Sequence, residues 1–331
     1  MNEPPENRTD LARPEPSRPL NKYTIVKALV AVGLFAWLIK SGRLDFSALF
    51  SIPLSPFHGL GMLVLFVAMV LQAWRWWWLL AVQRIDLSFP RTLGLVWIGR
   101  FLAMALPGVV GGDLVLGYYV TREAPSAKLA GLSTVVLDRA IGFYTAFLLG
   151  LVAVVWMACS GEGPAGPVLQ MGAMIILLVF GATLVFSALW VDGLRGRVLG
   201  IVPERLRAPL ESVLKAYRAR GRRLLFCLTL SLIVGVISMG AYRIAGHAIG
   251  TPLGWKQVFM VCPLVFVATA LPITPSGIGV GETAASVLFA QFGVETGATI
   301  MLVVRLWFFV LRLPGALFYV FQGKRAVPPD P

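Results

Sequence analysis

The sequence predicts an all-α polytopic integral membrane protein, with about six full spans and two re-entrant helical hairpins arranged as inverted repeats. Three observations predict it. Of 331 residues, 57% are hydrophobic and 14% charged, and the mean hydropathy is +0.79, well outside the range of soluble domains. Apolar runs recur at the length needed to cross a hydrocarbon core, about 20 residues each. Charged and helix-breaking residues inside those runs repeat at a near-constant spacing. This composition excludes a soluble globular enzyme, a disordered chain and a collagen-like repeat.

The elements follow in chain order. Residues 1–22 carry five prolines, mixed charge and no apolar run, which predicts a disordered cytoplasmic tail. No small-residue cleavage site follows the first apolar stretch, so it is not read as a signal peptide. Spans are predicted at 23–39, 58–83, 127–157, 167–190, 224–250 and 296–322, within a membrane domain over 23–323. A second short tail covers 324–331. Two further apolar stretches, 88–121 and 255–292, are interrupted near their middles. Pro107, Gly111 and Gly112 break the first; Pro272, Pro275, Gly277 and Gly279 break the second. Each half is short for a full crossing. Broken backbone at membrane depth is tolerated only where protein buries it or where it lines a cavity, so both stretches are read as re-entrant hairpins.

Charge sets the orientation. The net charge is +13, from 29 Lys and Arg against 16 Asp and Glu. With the N-terminus inside, 19 basic residues fall in cytoplasmic segments and three (Lys40, Arg43, Lys256) fall outside. That asymmetry is the positive-inside pattern of a bacterial-type inner-membrane protein with both termini cytoplasmic. The most basic segment, 191–223, is read as a surface helix on anionic headgroups or as a solvated topogenic loop. The excess charge therefore does not call for nucleic acid.

Four features recur in order. Arg75 and Arg243 are 168 apart, and Ala-Leu-Pro at 105–107 returns at 270–272. Asp113 and Glu282 are 169 apart, and Arg139 and Arg305 are 166 apart. Repeat one spans about 58–157 and repeat two about 224–322. Three crossings separate their starts, so the second repeat is inverted, as in alternating-access transporters.

Six arginines (Arg75, Arg100, Arg139, Arg243, Arg305, Arg312) sit inside apolar segments, where a charge costs about 2.5–3.5 kcal/mol even on the translocon scale. Three acids accompany them: Asp113, Asp138 and Glu282. Guanidinium forks match phosphate oxygens and stay charged in a dry site. Arg75, Arg100, Arg243 and Arg305 are thus predicted to bind an anionic lipid headgroup. Asp138 and Arg139, adjacent in sequence, are read as a structural ion pair. Asp113 and Glu282 are placed at the hairpin tips, either holding an arginine, taking up a proton or cation, or matching the charge at the N-terminus of the returning half-helix. Arg312, followed by Pro314, is equally accounted for by snorkelling or by backbone satisfaction. No Cys or His spacing suits a metal site, no phosphate-loop or nucleophile-elbow motif is present, and no cofactor is called for. The chain is not read as an enzyme.

Three runs resemble the lysylphosphatidylglycerol synthase transmembrane-region family, the flippase-like membrane proteins. They are Gly99-Arg100 with Leu106-Pro107-Gly108-Val109-Val110-Gly111-Gly112-Asp113, then Val136-Leu137-Asp138-Arg139-Ala140-Ile141-Gly142, then Leu271-Pro272-Ile273-Thr274-Pro275-Ser276-Gly277-Ile278-Gly279-Val280-Gly281-Glu282. The resemblance covers about 23–323. It implies a lipid flippase, because in some members this region moves an aminoacylated phospholipid that a separate soluble domain makes. With the chain ending at Pro331, that aminoacyltransferase domain and its activity are expected to be absent. The family commonly has a basic residue soon after Gly-Gly-Asp, whereas Leu114 to Val120 hold none. The expected partner is a membrane lipid with an anionic headgroup: a phospholipid, an aminoacyl-phospholipid, or a polyprenyl- or hopanoid-type lipid. A lipid-modifying enzyme and a second copy of the chain are compatible with this reading. The alternative is a non-transporting subunit that presents a lipid intermediate to a separate glycosyl- or acyltransferase.

Overall fold

A computed structural model describes residues 54–104, 111–160, scattered positions within 172–183, 204–270 and 279–321. The tails, the predicted span 23–39, most of 167–190, and the breakers Pro107, Pro272, Pro275 and Gly277 lie outside the described residues. The described residues are helical, without strands, as the composition predicts.

The first unit contains α1 (Phe57–Val82), α2 (Phe89–Leu102), α3 (Gly111–Glu123) and α4 (Lys128–Ser160). After α5 (Glu204–Arg218), the second unit contains α6 (Gly221–Ala248), α7 (Trp255–Ala270), α8 (Val280–Ala290) and α9 (Gly297–Arg312), followed by α10 (Pro314–Phe321). Each unit is a long helix, two short helices and another long helix. Four segments are long and apolar enough to cross a membrane: Phe57–Val82, Pro125–Ser160, Gly221–Ala248 and Gly297–Phe321. They match four of the predicted spans closely. The fourth is not one continuous helix. Pro314 supplies no N–H to the ladder, the helix breaks at Leu313, and the indole of Trp97 donates to the freed Leu311 carbonyl at 2.9 Å.

Helix ends have local causes. Arg84 adopts the left-handed region (φ 58°), and the Ile85 N–H returns to the Leu80 carbonyl at 3.0 Å. Gly250 and Gly293 close α6 and α8 the same way, with Thr251 reaching Gly246 and Val294 reaching Phe289. This closure satisfies carbonyls that a helix C-terminus leaves open.

The two units meet along α1 and α6, which run antiparallel. Phe57 at the start of α1 stacks on His247 near the end of α6. Arg75 reaches Ser231, and Arg220 before α6 donates to the Val82 carbonyl at the end of α1. The remaining contacts are reciprocal. The long last helix of unit one, α4, packs on α7 of unit two, and the last segment of unit two, α10, packs on α2 of unit one. Close approach depends on small residues. A Cβ on Gly112 would lie 3.0 Å from the Gly99 carbonyl oxygen, where α2 and α3 touch. A Cβ on Gly315 would overlap the Trp97 carbonyl, where α10 lies on α2.

The bundle is apolar outside as well as inside. Leu63, Phe66, Val136, Val152, Leu225, Val236 and Leu317 are exposed, as expected for helices that face lipid. The described part of the basic segment behaves differently. On α5, Val213 and Tyr217 are buried against Leu79 and Val82, the Gln83 amide donates to the Val213 carbonyl, and Lys215 is exposed. Its apolar side is therefore covered by the protein itself.

Candidate functional site

The long helices and the broken ones converge on a cavity of about 530 Å³. Charge is concentrated there: Arg75, Arg100, Arg139, Arg305 and Arg312 line it with Asp113 and Asp138. The rest of the wall is largely apolar and includes Phe143, Phe266, Phe308 and Phe309.

Arg75, on α1, is a clamp. It is 5% exposed. Its Nε and Nη2 donate to the two carboxylate oxygens of Asp138 on α4 at 2.8 and 2.9 Å. Nη1 donates to the Ser231 hydroxyl on α6 at 2.6 Å, and Nη2 also reaches the Asp138 carbonyl. One guanidinium thus joins three long helices from both units. A fork–fork pair of this kind is the strong geometry for arginine and carboxylate.

This overturns the expected Asp138–Arg139 pair. Consecutive helical residues do not face each other. Asp138 turns to Arg75, while Arg139 turns to α3 and donates from Nε to Asp113 at 2.5 Å. The second unit repeats that second contact. Arg305 on α9 pairs with Glu282 on α8, Nε to Oε1 at 2.6 Å and Nη2 to Oε2 at 3.1 Å. Asp113 and Glu282 are each the third residue of their helix. Glu282 also accepts from the Gly279 N–H at 2.8 Å, where Gly279 adopts φ 83°. The two acids predicted at the hairpin tips thus do the same job in each unit: each fixes an arginine of the following long helix.

Two arginines of the cavity have no carboxylate partner among the described residues. Arg100, in the last turn of α2, donates to the Gln72 side-chain oxygen at 2.7 Å and makes no other hydrogen bond to a described residue. Arg312 ends α9. Its guanidinium lies 5.7 Å over the Phe308 ring, and its buried Nε has no acceptor among the described residues. The cavity wall therefore holds three arginines matched by acids and two that are not.

Arg243 is elsewhere. It lies about 18 Å beyond Ser231 along α6, at roughly 1.5 Å per residue. There it sits 5.0 Å over the Trp255 ring with Nη1 3.2 Å from His247 Nε2. Of the four arginines predicted to bind headgroup, the structure brings Arg75, Arg100 and Arg305 to one cavity and leaves Arg243 outside it. The structure also places Arg312 in the cavity wall and Gln72 against Arg100, neither of them among the predicted headgroup residues. Arg312 was detectable as one of the six embedded arginines; Gln72, one turn before Arg75 in an otherwise apolar run, was detectable as an embedded amide. The tryptophans beside Arg75 do not cover it. Trp76 donates to Thr134, and Trp78 instead receives Arg223 over its ring at 5.6 Å.

Comparison with known proteins follows the same extent. The family model for the lysylphosphatidylglycerol synthase TM region matches residues 24–315. The UPF0104 membrane protein PH1989 of Pyrococcus horikoshii is 22% identical over 267 residues, covering 71% of this chain and 77% of the relative. No solved structure gives a significant match.

Proposed function

The chain belongs to the lysylphosphatidylglycerol synthase TM-region family, whose function is lipid-related, and on that premise we propose that it moves an anionic, phosphate-bearing lipid between the leaflets of a bacterial-type inner membrane. The observation that carries this reading is the pair Arg100 and Arg312. Two guanidinium groups without carboxylate partners among the described residues face a cavity inside a bundle whose outer surface is apolar. Both are half-buried, where an arginine is costly unless something neutralises it, and a headgroup phosphate does so with matched geometry. The lipid tails stay outside, along the exposed apolar side chains.

The route across the membrane rests on the paired units. The antiparallel run of α1 and α6 and the reciprocal packing of α4 on α7 and α10 on α2 support inverted repeats, with α2–α3 and α7–α8 as re-entrant hairpins entering from opposite faces. Rocking of one unit against the other then exposes the cavity alternately to each leaflet. In this reading the protein is a carrier without a catalytic step, and both termini are cytoplasmic.

The test is a leaflet-resolved assay in reconstituted vesicles. Wild-type protein is expected to equilibrate a labelled anionic phospholipid across the bilayer, and R100Q with R312Q to stop it. Lipid that binds through Arg100 and Arg312 yet stays on its starting leaflet would replace transport with the presenting role.

A further inference from the structure

The charges in the cavity wall also specify the headgroup. Resting on the lipid-carrier reading, we infer that the cavity selects a headgroup with two negative charges, a phosphomonoester or a diphosphate, over a singly charged phosphodiester. Three wall arginines are neutralised by protein: Arg75 by Asp138, Arg139 by Asp113 and Arg305 by Glu282. Arg100 and Arg312 remain, so the described wall presents two positive charges beyond its acids.

Helix dipoles do not remove this surplus. Arg100 and Arg312 both stand in the last turn of a helix, where about half a unit of negative charge collects. Each of those ends faces a helix start, however. The break after α2 is followed by the N-terminus of α3, and the break after α9 by that of α10. The opposed ends cancel, as do those of α7 and α8. The amide of Gln72 holds Arg100 without charge, and the ring of Phe308 faces Arg312. Neither satisfies a guanidinium as an anion does.

A dianion brings the site to neutrality, with oxygens enough for both forks. A phosphodiester leaves one arginine unmatched in a partly dry wall, and a zwitterionic headgroup leaves two. The preference follows from charge count and is independent of what the phosphate is attached to. The same chemistry would also accept inorganic phosphate, so the lipid requires its own control.

The experiment measures binding of phosphatidic acid, phosphatidylglycerol, phosphatidylethanolamine and inorganic phosphate to the purified full chain in detergent, at about pH 8, where a phosphomonoester is fully ionised. Phosphatidic acid is expected to bind at least about tenfold more tightly than phosphatidylglycerol, with phosphatidylethanolamine weakest and inorganic phosphate a poor competitor. R312Q should bring phosphatidic acid down to the affinity of phosphatidylglycerol. R312K should keep much of the preference, which separates charge from folding, and R243Q should change nothing. Equal binding of phosphatidic acid and phosphatidylglycerol by the wild type overturns the two-charge inference and leaves the anionic-lipid reading standing. Tight binding of inorganic phosphate without lipid binding overturns the lipid reading and keeps the charge count. Binding of neither overturns both.

Discussion

The two units share a framework and differ in their arginines. In both, an acid at the third position of a short helix holds an arginine on the long helix that follows: Asp113 with Arg139, and Glu282 with Arg305. The first helices have diverged. Arg75 finds Asp138 and Ser231. The same offsets place Val304 and Leu63 where Arg243 would need those partners, and Arg243 lies instead against Trp255 and His247. The two cavity arginines without a carboxylate partner among the described residues have no arginine counterparts in the other unit. Arg100 corresponds to Val265, and Arg312 to Ala146. The Arg75 clamp and the two recurring acid–arginine contacts hold the helices together; in the proposed function, Arg100 and Arg312 are what is left for a ligand.

The sharpest way to break that division is to exchange the two behaviours by mutation. D138N strips the charge partner from a buried arginine that joins three helices, and removing one member of a buried pair costs about 3–5 kcal/mol. The thermal midpoint of the detergent-solubilised protein should fall further for D138N than for D113N, E282Q or R243Q. A double-mutant cycle with R75Q should return a large coupling energy. R312Q should do the opposite. It removes a half-buried charge with no carboxylate partner among the described residues, so the lipid-free midpoint should rise. Added anionic lipid, which stabilises the wild type by binding the folded state, should then stabilise R312Q much less. A fall in the lipid-free midpoint of R312Q would mean that Arg312 is structural.

Smaller effects test the equivalence of the units. D113N and E282Q remove the same contact at corresponding places. Arg139 is 46% exposed on its side chain, so the loss should be on the order of 1 kcal/mol, and similar for the two variants. Midpoints that differ several-fold in their shifts would argue against a shared framework. R243Q is the mildest change. It gives up a cation–π contact worth about 0.5–1 kcal/mol and should leave lipid binding and lipid movement at wild-type levels.

Much of the fold was legible in the sequence because membrane helices announce themselves by length and hydropathy. The predicted spans at 58–83, 127–157 and 224–250 coincide closely with α1, α4 and α6. Within the predicted stretches 88–121 and 255–292 the described residues form the short helices α2, α3, α7 and α8, while Pro107, Pro272, Pro275 and Gly277 lie outside the described residues. The bend at Leu313 was less legible, since a proline inside an apolar run can kink a span or start a new helix, and only the Trp97 contact from a distant helix distinguishes them. The charge asymmetry and the four recurring features were readable without coordinates. Who pairs with whom was not. Asp138 and Arg139 are neighbours in sequence and point apart in space, because successive helical residues are about 100° apart around the axis. Arg243 looked like a partner of Arg75 by its offset, yet its surroundings lack the acid and hydroxyl. Arg312 looked like an end-of-span residue; the break that follows it leaves it in the cavity wall.

The central claim is that Arg100 and Arg312 together hold the phosphate of a lipid inside the cavity. Electron cryo-microscopy of the protein in nanodiscs containing phosphatidic acid tests this most directly. The account predicts headgroup density within hydrogen-bonding distance of both guanidinium groups, with Arg75 still on Asp138. Lipid density confined to the outer apolar surface or to the Arg243 end, with none between Arg100 and Arg312, would contradict it.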